Sequence, residues 1–322
     1  TCALLNSGLA KCWGANDYGE LGQGDTRSRG GAPGEMGDKL EPIDLGGGRT
    51  VTAVAAGGFH TCALLENGAV RCWGIRALGY GNTNRIGDDE DPAAAGDVNV
   101  GGPVTQLTAG EEHTCALLTT GSVRCWGSAY GGALGYPGSG YIGDDEPPAA
   151  LGDVDVGGPV AQIEAGAYHT CARLRTGALR CWGDGGHGEL GYGNPNSIGD
   201  DETPATAGDV RVGGRVKQVA AGTARTCALM DTNAVRCWGA GPLGYGNEAN
   251  IGDDEAPARA GDIRLSDAAS QIDAGRLEMC AVLRNGHLQC WGSNHSGILG
   301  YGHQLTIGDD ETPASAGYVL VQ

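Results

Sequence analysis

Twelve cysteines occur in this chain as six pairs, and in every pair the second follows the first by ten positions. The pairs are Cys2 and Cys12, Cys62 and Cys72, Cys115 and Cys125, Cys171 and Cys181, Cys227 and Cys237, Cys280 and Cys290. The clearest copy runs His60-Thr61-Cys62-Ala63-Leu64-Leu65-Glu66-Asn67-Gly68-Ala69-Val70-Arg71-Cys72-Trp73-Gly74. Folded back about Asn67, it forms a β-hairpin in which Leu64 faces Val70 and Cys62 faces Cys72. Side chains alternate across a strand, so these four share one face. Directly opposed β-carbons lie roughly 4.5–5.5 Å apart, whereas a disulfide wants about 3.5–4.5 Å. The spacing therefore predicts the narrow, non-hydrogen-bonded kind of pair. A three-residue hairpin loop commonly ends on a left-handed residue. That slot holds Gly8, Gly68, Gly121, Gly177, Asn233 and Gly286, and asparagine is the usual substitute for glycine at positive φ.

A third strand precedes five of the hairpins, at 51–57, 104–110, 160–166, 216–222 and 269–275. A fourth short strand is read at 97–100, 153–156, 209–212 and 318–321. The first cysteines of successive pairs are 60, 53, 56, 56 and 53 residues apart. Four short strands at that period predict an all-β chain, a β-propeller of four-stranded blades with one disulfide-linked hairpin in each. The blades run approximately 1–48, 49–101, 102–157, 158–213, 214–265 and 266–322, as one domain. Glycine is about 19% of the chain, against a usual ~7%. Without a collagen-like period, that excess belongs to tight turns and crowded backbone.

The repeated order of strand-Ala-Gly, His-Thr-x-Ala-Leu, Gly-x-Val-x-x-Trp-Gly and Leu-Gly-x-Gly resembles the regulator of chromosome condensation repeat. Copy one has its most familiar form, Cys12-Trp13-Gly14-Ala15-Asn16-Asp17-Tyr18-Gly19-Glu20-Leu21-Gly22-Gln23-Gly24-Asp25. The resemblance covers essentially the whole chain and implies a β-propeller, usually of seven blades. This sequence departs from the family in having six recognisable hairpins and in its cysteines, which make it most similar to exported bacterial versions. The chain opens inside a His-Thr-Cys motif and closes after an outer strand, so it reads as a piece of a longer protein.

Identical pairs within hairpins predict disulfides, hence an oxidising setting: extracellular, cell-surface or periplasmic. Zinc fits poorly, because the pairs lack C-x2-4-C spacing and have no partner histidines. Each bond closes a short loop, for which chain entropy gives about 2.5–3 kcal/mol. Net charge is −18, with 39 acidic and 21 basic residues, and no basic stripe for nucleic acid is visible. The nucleotide-exchange and chromatin roles that the resemblance implies are not carried over for that reason. No run of about 18 apolar residues exists, so this portion is read as having no membrane span.

A second repeated motif, Ile-Gly-Asp-Asp-Glu, supplies candidate metal ligands: Asp88, Asp89 and Glu90; Asp144, Asp145 and Glu146; Asp200, Asp201 and Glu202; Asp253, Asp254 and Glu255; Asp309, Asp310 and Glu311. Calcium wants several such oxygens on a turn. The other reading is that the aspartates accept backbone N–H bonds and set a turn before an extended, proline-led segment (Pro92, Pro147, Pro204, Pro257, Pro313). Tyr80, Tyr136, Tyr192, Tyr245 and Tyr301 read either as loop anchors or as a ring of aromatics for sugar. The six tryptophans, Trp13, Trp73, Trp126, Trp182, Trp238 and Trp291, are expected to pack between blades. His60, His113 and His169 give way to Arg225 and Glu278 in later copies, which argues for a hydrogen bond rather than catalysis. Asn294-His295-Ser296 matches a glycosylation sequon.

No catalytic motif appears, so the chain is read as non-enzymatic and without a cofactor beyond the calcium in question. Segments 15–21, 75–78, 128–134, 184–190, 240–243 and 293–299 differ most between copies while the strands stay constant. Binding residues concentrate on loops held by rigid scaffolds. These loops are therefore the expected site for a protein partner on a secreted or cell-surface scaffold. The alternatives are self-assembly head-to-tail into an extracellular fibre, and a calcium- or sugar-binding propeller.

Overall fold

The computed structural model describes residues 1–76 and 78–320. Repeat one contributes the hairpin β1 (Cys2–Leu4) and β2 (Ala10–Cys12). The later repeats each contribute a three-stranded antiparallel sheet. These are β3 (Val51–Ala56), β4 (His60–Leu65) and β5 (Val70–Gly74), then β6 (Val104–Ala109), β7 (His113–Leu118) and β8 (Val123–Gly127). Next come β9 (Val160–Ala165), β10 (His169–Leu174) and β11 (Leu179–Gly183), and β12 (Val216–Ala221), β13 (Arg225–Met230) and β14 (Val235–Gly239). The last is β15 (Ala269–Ala274), β16 (Glu278–Leu283) and β17 (Leu288–Gly292). The chain resolves into two compact units, one of residues 1–129 with 138–154, the other of residues 130–137 with 155–322.

The hairpin register is the one the cysteine spacing dictates: Cys62 opposite Cys72 and Leu64 opposite Val70, repeated in every copy. All six pairs form disulfides, with Cα–Cα separations of 4.0–4.1 Å. That is the short separation of a non-hydrogen-bonded pair. The six predicted left-handed turn residues have φ between 67° and 91°. At Gly68 the turn closes with Gly68 N–H donating to Leu65 O at 2.8 Å, beside Leu65 N–H donating to Ala69 O at 2.9 Å.

Two expectations are corrected. The outer segments do not add a fourth strand to each ladder. In repeat two, Val98 N–H donates to Val70 O at 2.8 Å, and then Val100 N–H turns back onto Val98 O at 2.9 Å. That three-residue turn curls the backbone away before a second rung forms. The same single bond recurs as Val154 to Val123, Val210 to Leu179, Ile263 to Val235 and Val319 to Leu288; Val321 lies outside the described residues. The segment after each acidic loop is also not extended. It is one helical turn led by proline, at Pro92–Ala95, Pro148–Ala150, Pro204–Ala207, Pro257–Ala260 and Pro313–Ala316. Proline suits the first helical position because that N–H has no intrahelical partner. Among the described residues no helix is long and apolar enough to cross a membrane.

Candidate functional site

The acidic loops join repeats backbone to backbone. Within its own repeat, Ile86 exchanges two hydrogen bonds with Gly74, fastening the loop to the end of β5. Gly87 and Asp88 then press against the preceding repeat. A β-carbon on Gly87 would lie 2.6 Å from Gly19 O, and one on Gly19 would lie 2.6 Å from Asp88 N. Gly188 makes the matching approach to Asp253 N. Backbone bonds seal the contact, as from Gly81 N–H to Gly143 O at 3.1 Å and from Gly193 N–H to Gly252 O at 3.0 Å. The two glycine-rich motifs are thus halves of one seam, which explains why they recur together.

The seam gathers the predicted carboxylates. In each of the five Asp-Asp-Glu triplets, one oxygen per residue lies within 4.8 Å of the others. The crowding shows in their protonation. Burial, with a hydrogen bond to the neighbouring Asp254, pushes the Glu255 carboxyl up to about 7, and Glu311 behaves alike beside Asp310. In the copy at Glu146 the bond to Asp145 is the leading cause of the rise. In all five copies the glutamate carboxyl is pushed up by burial and this crowding. One oxygen from each residue gives three converging ligands, whereas a calcium ion takes six to eight oxygens in all.

The other repeated side chains also serve the seam. Trp73 Nε1–H and Thr61 Oγ1–H both donate to Glu20 O, each at 2.9 Å. Trp238 and Thr226 do the same to Glu189 O, and Trp182 and Thr170 to Ala133 O. Trp73, Trp182 and Trp238 therefore pack between repeats, as expected; five of the six tryptophans are buried, and Trp13 is half-buried. His60 Nε2 lies 2.6 Å from Thr114 Oγ1, and His169 Nε2 lies 2.9 Å from Thr226 Oγ1. Tyr80, Tyr192, Tyr245 and Tyr301 are anchors. Tyr80 OH accepts from Cys72 N–H and donates to Cys72 O, both at 3.1 Å, and burial pushes its pKa up to about 12. Tyr192, Tyr245 and Tyr301 hold Cys181, Cys237 and Cys290 in the same way.

Two clamps escaped the sequence reading. Arg124 Nε donates to Asp153 at 3.0 Å while Nη1 reaches Val100 O at 2.8 Å; Arg180 repeats this with Asp209 and Val156 O. Each guanidinium thus ties the outer segments of two neighbouring repeats. Gln162 and Gln218 clamp inner strands. The Gln162 amide donates to Val219 O at 2.8 Å and accepts from Val219 N–H at 3.1 Å, and Gln218 pairs likewise with Ile272. The signal was present as an arginine before the second cysteine, an aspartate before Val-x-Val and a glutamine two residues into the inner strand.

The variable loops rest on buried polar pegs. Asn16 donates to Asp25 O and Arg27 O and accepts from Leu21 N–H at 2.8 Å. Asn294 holds His303 O, Leu305 O and Leu299 N–H in the same manner. Asn294 is fully buried, so the sequon there presents no amide for a glycan. Beyond the pegs the loops expose Asp17, Tyr130, His187 and Ile298.

Comparison with known proteins agrees with this construction. The model described as the regulator of chromosome condensation (RCC1) repeat matches residues 51–75, 104–132, 160–189, 216–244 and 269–298. The chain is 27% identical over 309 residues to the mitochondrial RCC1 domain-containing protein RUG3 of Arabidopsis thaliana, covering 93% of this chain but 66% of that protein, just under two thirds of its length. It is 26% identical over 357 residues to the ultraviolet-B receptor UVR8 of the same plant, covering 94% of this chain and 77% of that protein. Among solved structures, yeast RCC1 (Prp20), crystallised with Kap60, superposes with a TM-score of 0.74 at 18% identity, over 99% of this chain and 72% of its own. Matched repeat by repeat and sharing that fold, the chain belongs to the RCC1-repeat family of β-propellers.

Proposed function

We propose that this chain is a disulfide-hardened scaffold that binds a protein partner through its variable loops, in an oxidising compartment outside the reducing cytosol. The observation that carries the reading is a division of labour. The recurring side chains (tryptophan, threonine, tyrosine, arginine) are engaged in joining strands and repeats. The exposed, non-recurring ones lie on the variable loops, two of which are held by the buried Asn16 and Asn294. A surface free to vary on a rigid frame is where partners are read. The yeast relative has been solved with Kap60 and described with its binding to Gsp1p and histones, which makes protein ligands natural for the fold, although fold alone does not name one. Twelve cysteines paired without remainder support the oxidising compartment.

The test is affinity capture from the extracellular fraction of the source organism with the immobilised chain, followed by measured affinities for whatever is retained. Alanine substitutions at Asp17, Tyr130, His187 and Ile298 are compared with controls at Arg211 and Lys217. The expected result is a partner whose affinity falls at least tenfold with one or more loop variants and is unchanged by the controls. A partner indifferent to every loop variant would contradict the proposal.

A further inference from the structure

The chain has a single phenylalanine, and it is not in the core. Phe59 sits half-buried at the turn between β3 and β4. The Tyr18 ring meets it edge-on at 5.8 Å, and the Arg76 guanidinium lies over it at 5.2 Å from the ring centre. Arg85 covers Tyr18 at 5.7 Å. Arg76 also pairs with Glu112 at 3.1 Å, and Tyr141 donates to the same carboxylate at 3.3 Å. Three repeats thus contribute to one exposed cluster of aromatic rings and arginines. None of these side chains recurs at its position in all copies. Arg76 has a backbone φ of 73°, a left-handed conformation uncommon for a residue of this size. Such conformations concentrate at functional positions, where the surrounding structure holds them.

The two arginines differ in one respect. Arg76 has a carboxylate; Arg85 is exposed, and among the described residues none forms an ion pair with it. The Arg85 guanidinium lies over the Tyr18 ring, 5.7 Å from the ring centre. A planar guanidinium presents paired donors that match a carboxylate. Tyrosine and arginine are among the side chains that dominate interface energetics when a partner excludes water from them, and phenylalanine is enriched at interfaces. The chain carries a net charge of −18, so an acidic partner is repelled by most of this surface and is accepted only where a guanidinium is available. That combination of local attraction and general repulsion confers specificity.

Building on the protein-scaffold reading, we infer that the Tyr18, Phe59, Arg76 and Arg85 cluster is a docking site for a protein segment that places a carboxylate on Arg85 and an aromatic or aliphatic side chain on Phe59. Glu112 and Tyr141 orient Arg76 at the edge of the site and leave Arg85 as the anchor for the incoming charge.

A library of displayed random 12-residue peptides selected on the whole chain tests this. Enriched peptides are synthesised and titrated against the native chain, Arg85→Gln, Arg85→Glu, Phe59→Ala and the loop variant His187→Ala. The expected result is enrichment of Asp or Glu next to an aromatic or aliphatic residue. Affinity should weaken at least tenfold with Arg85→Gln and Phe59→Ala, and further with Arg85→Glu. Peptides that lack a carboxylate, or that bind Arg85→Gln within twofold of native, overturn the inference. Self-association of the native chain that Arg85→Gln abolishes overturns it as well, by assigning the cluster to a second copy. Binding lost with His187→Ala but indifferent to Arg85 leaves the scaffold reading standing while this site fails. Binding indifferent to every variant fails both.

Discussion

Thr226 has one proton to give, and it gives it to Glu189 O at 2.9 Å. Its contact with His169 Nε2 at 2.9 Å must therefore be accepted from the imidazole, which fixes His169 as the neutral tautomer protonated at Nε2. Nδ1 is left buried without a partner, as it is in His60. Burial pushes both imidazoles down to about 4, while the unfolded chain ionises near 6.5. The unfolded state binds more protons between those values, so their contribution to stability is lost as pH falls from 6.5 to 4 and then levels off. Glu164 has the opposite sign. Burial, with the charge of Asp273, pushes it up to about 8, so its protonated form stabilises the fold fully below the unfolded value of ~4.3, and that benefit is lost as pH rises through 8, above which it levels off. Two outcomes are expected from melting curves. The double variant His60→Gln, His169→Gln should lose less stability than native between pH 6.5 and 4, and Glu164→Gln should lose less than native as pH rises from about 4.5 to 8. Unchanged pH profiles would show that these groups do not titrate as their surroundings imply. For the acidic loops, where three converging ligand atoms fall short of a calcium shell, millimolar calcium is expected to leave the melting temperature within about 1 °C, whereas one bound site at 100 times its dissociation constant would add about 2.7 kcal/mol. A calcium-dependent rise that Asp88→Asn with Asp89→Asn removes would establish a metal site.

At the scale of elements, stability resides in the seams as much as in the sheets. Gly87 has φ of 93° and no room for a β-carbon beside Gly19 O, whereas Gly47 has φ of 65° and nothing within 4 Å. Gly87→Ala should therefore destabilise by about 2–4 kcal/mol, combining backbone strain with a displaced seam, and Gly47→Ala by about 1 kcal/mol. Equal losses in denaturant melts would contradict the seam. Arg180→Ala should cost about 1–3 kcal/mol, since it leaves Val156 O without its donor. The hairpins were legible in the sequence because local chemistry decides them: a cysteine pair, a two-residue alternation and a left-handed turn slot such as Asn233. The seam was only half legible. Trp73 and Tyr80 announced themselves by recurrence, but their hydrogen bonds go to backbone carbonyls, which every residue has. Arg180 and Gln162 read as ordinary polar residues on strands, since their partners come from neighbouring repeats. The outer segments misled because Asp-Val-x-Val has strand composition, while the turn from Val100 back to Val98 depends on backbone conformation that composition does not record. The docking cluster was illegible for a similar reason: Tyr18 comes from repeat one, Phe59, Arg76 and Arg85 from separate segments of repeat two, and Glu112 and Tyr141 from repeat three, and they become neighbours only through folding.

At the scale of the molecule, covalent and non-covalent reinforcement are separated. Every disulfide lies within one hairpin, and the seams between repeats are held by hydrogen bonds, tryptophans and close glycine contacts. In such arrays stability is approximately a sum of repeat and neighbour terms, so a local staple strengthens a repeat without constraining which loops it carries. This arrangement suits a scaffold whose strands recur and whose loops differ, and it ties the proposed compartment to the chemistry of the cysteines. Peptide mapping of the unreduced native protein by mass spectrometry tests that claim most directly. The account expects all twelve cysteines oxidised and every bond joining residues ten apart, from Cys2 with Cys12 to Cys280 with Cys290. Free thiols in the native protein, or a bond linking two different repeats, would contradict it.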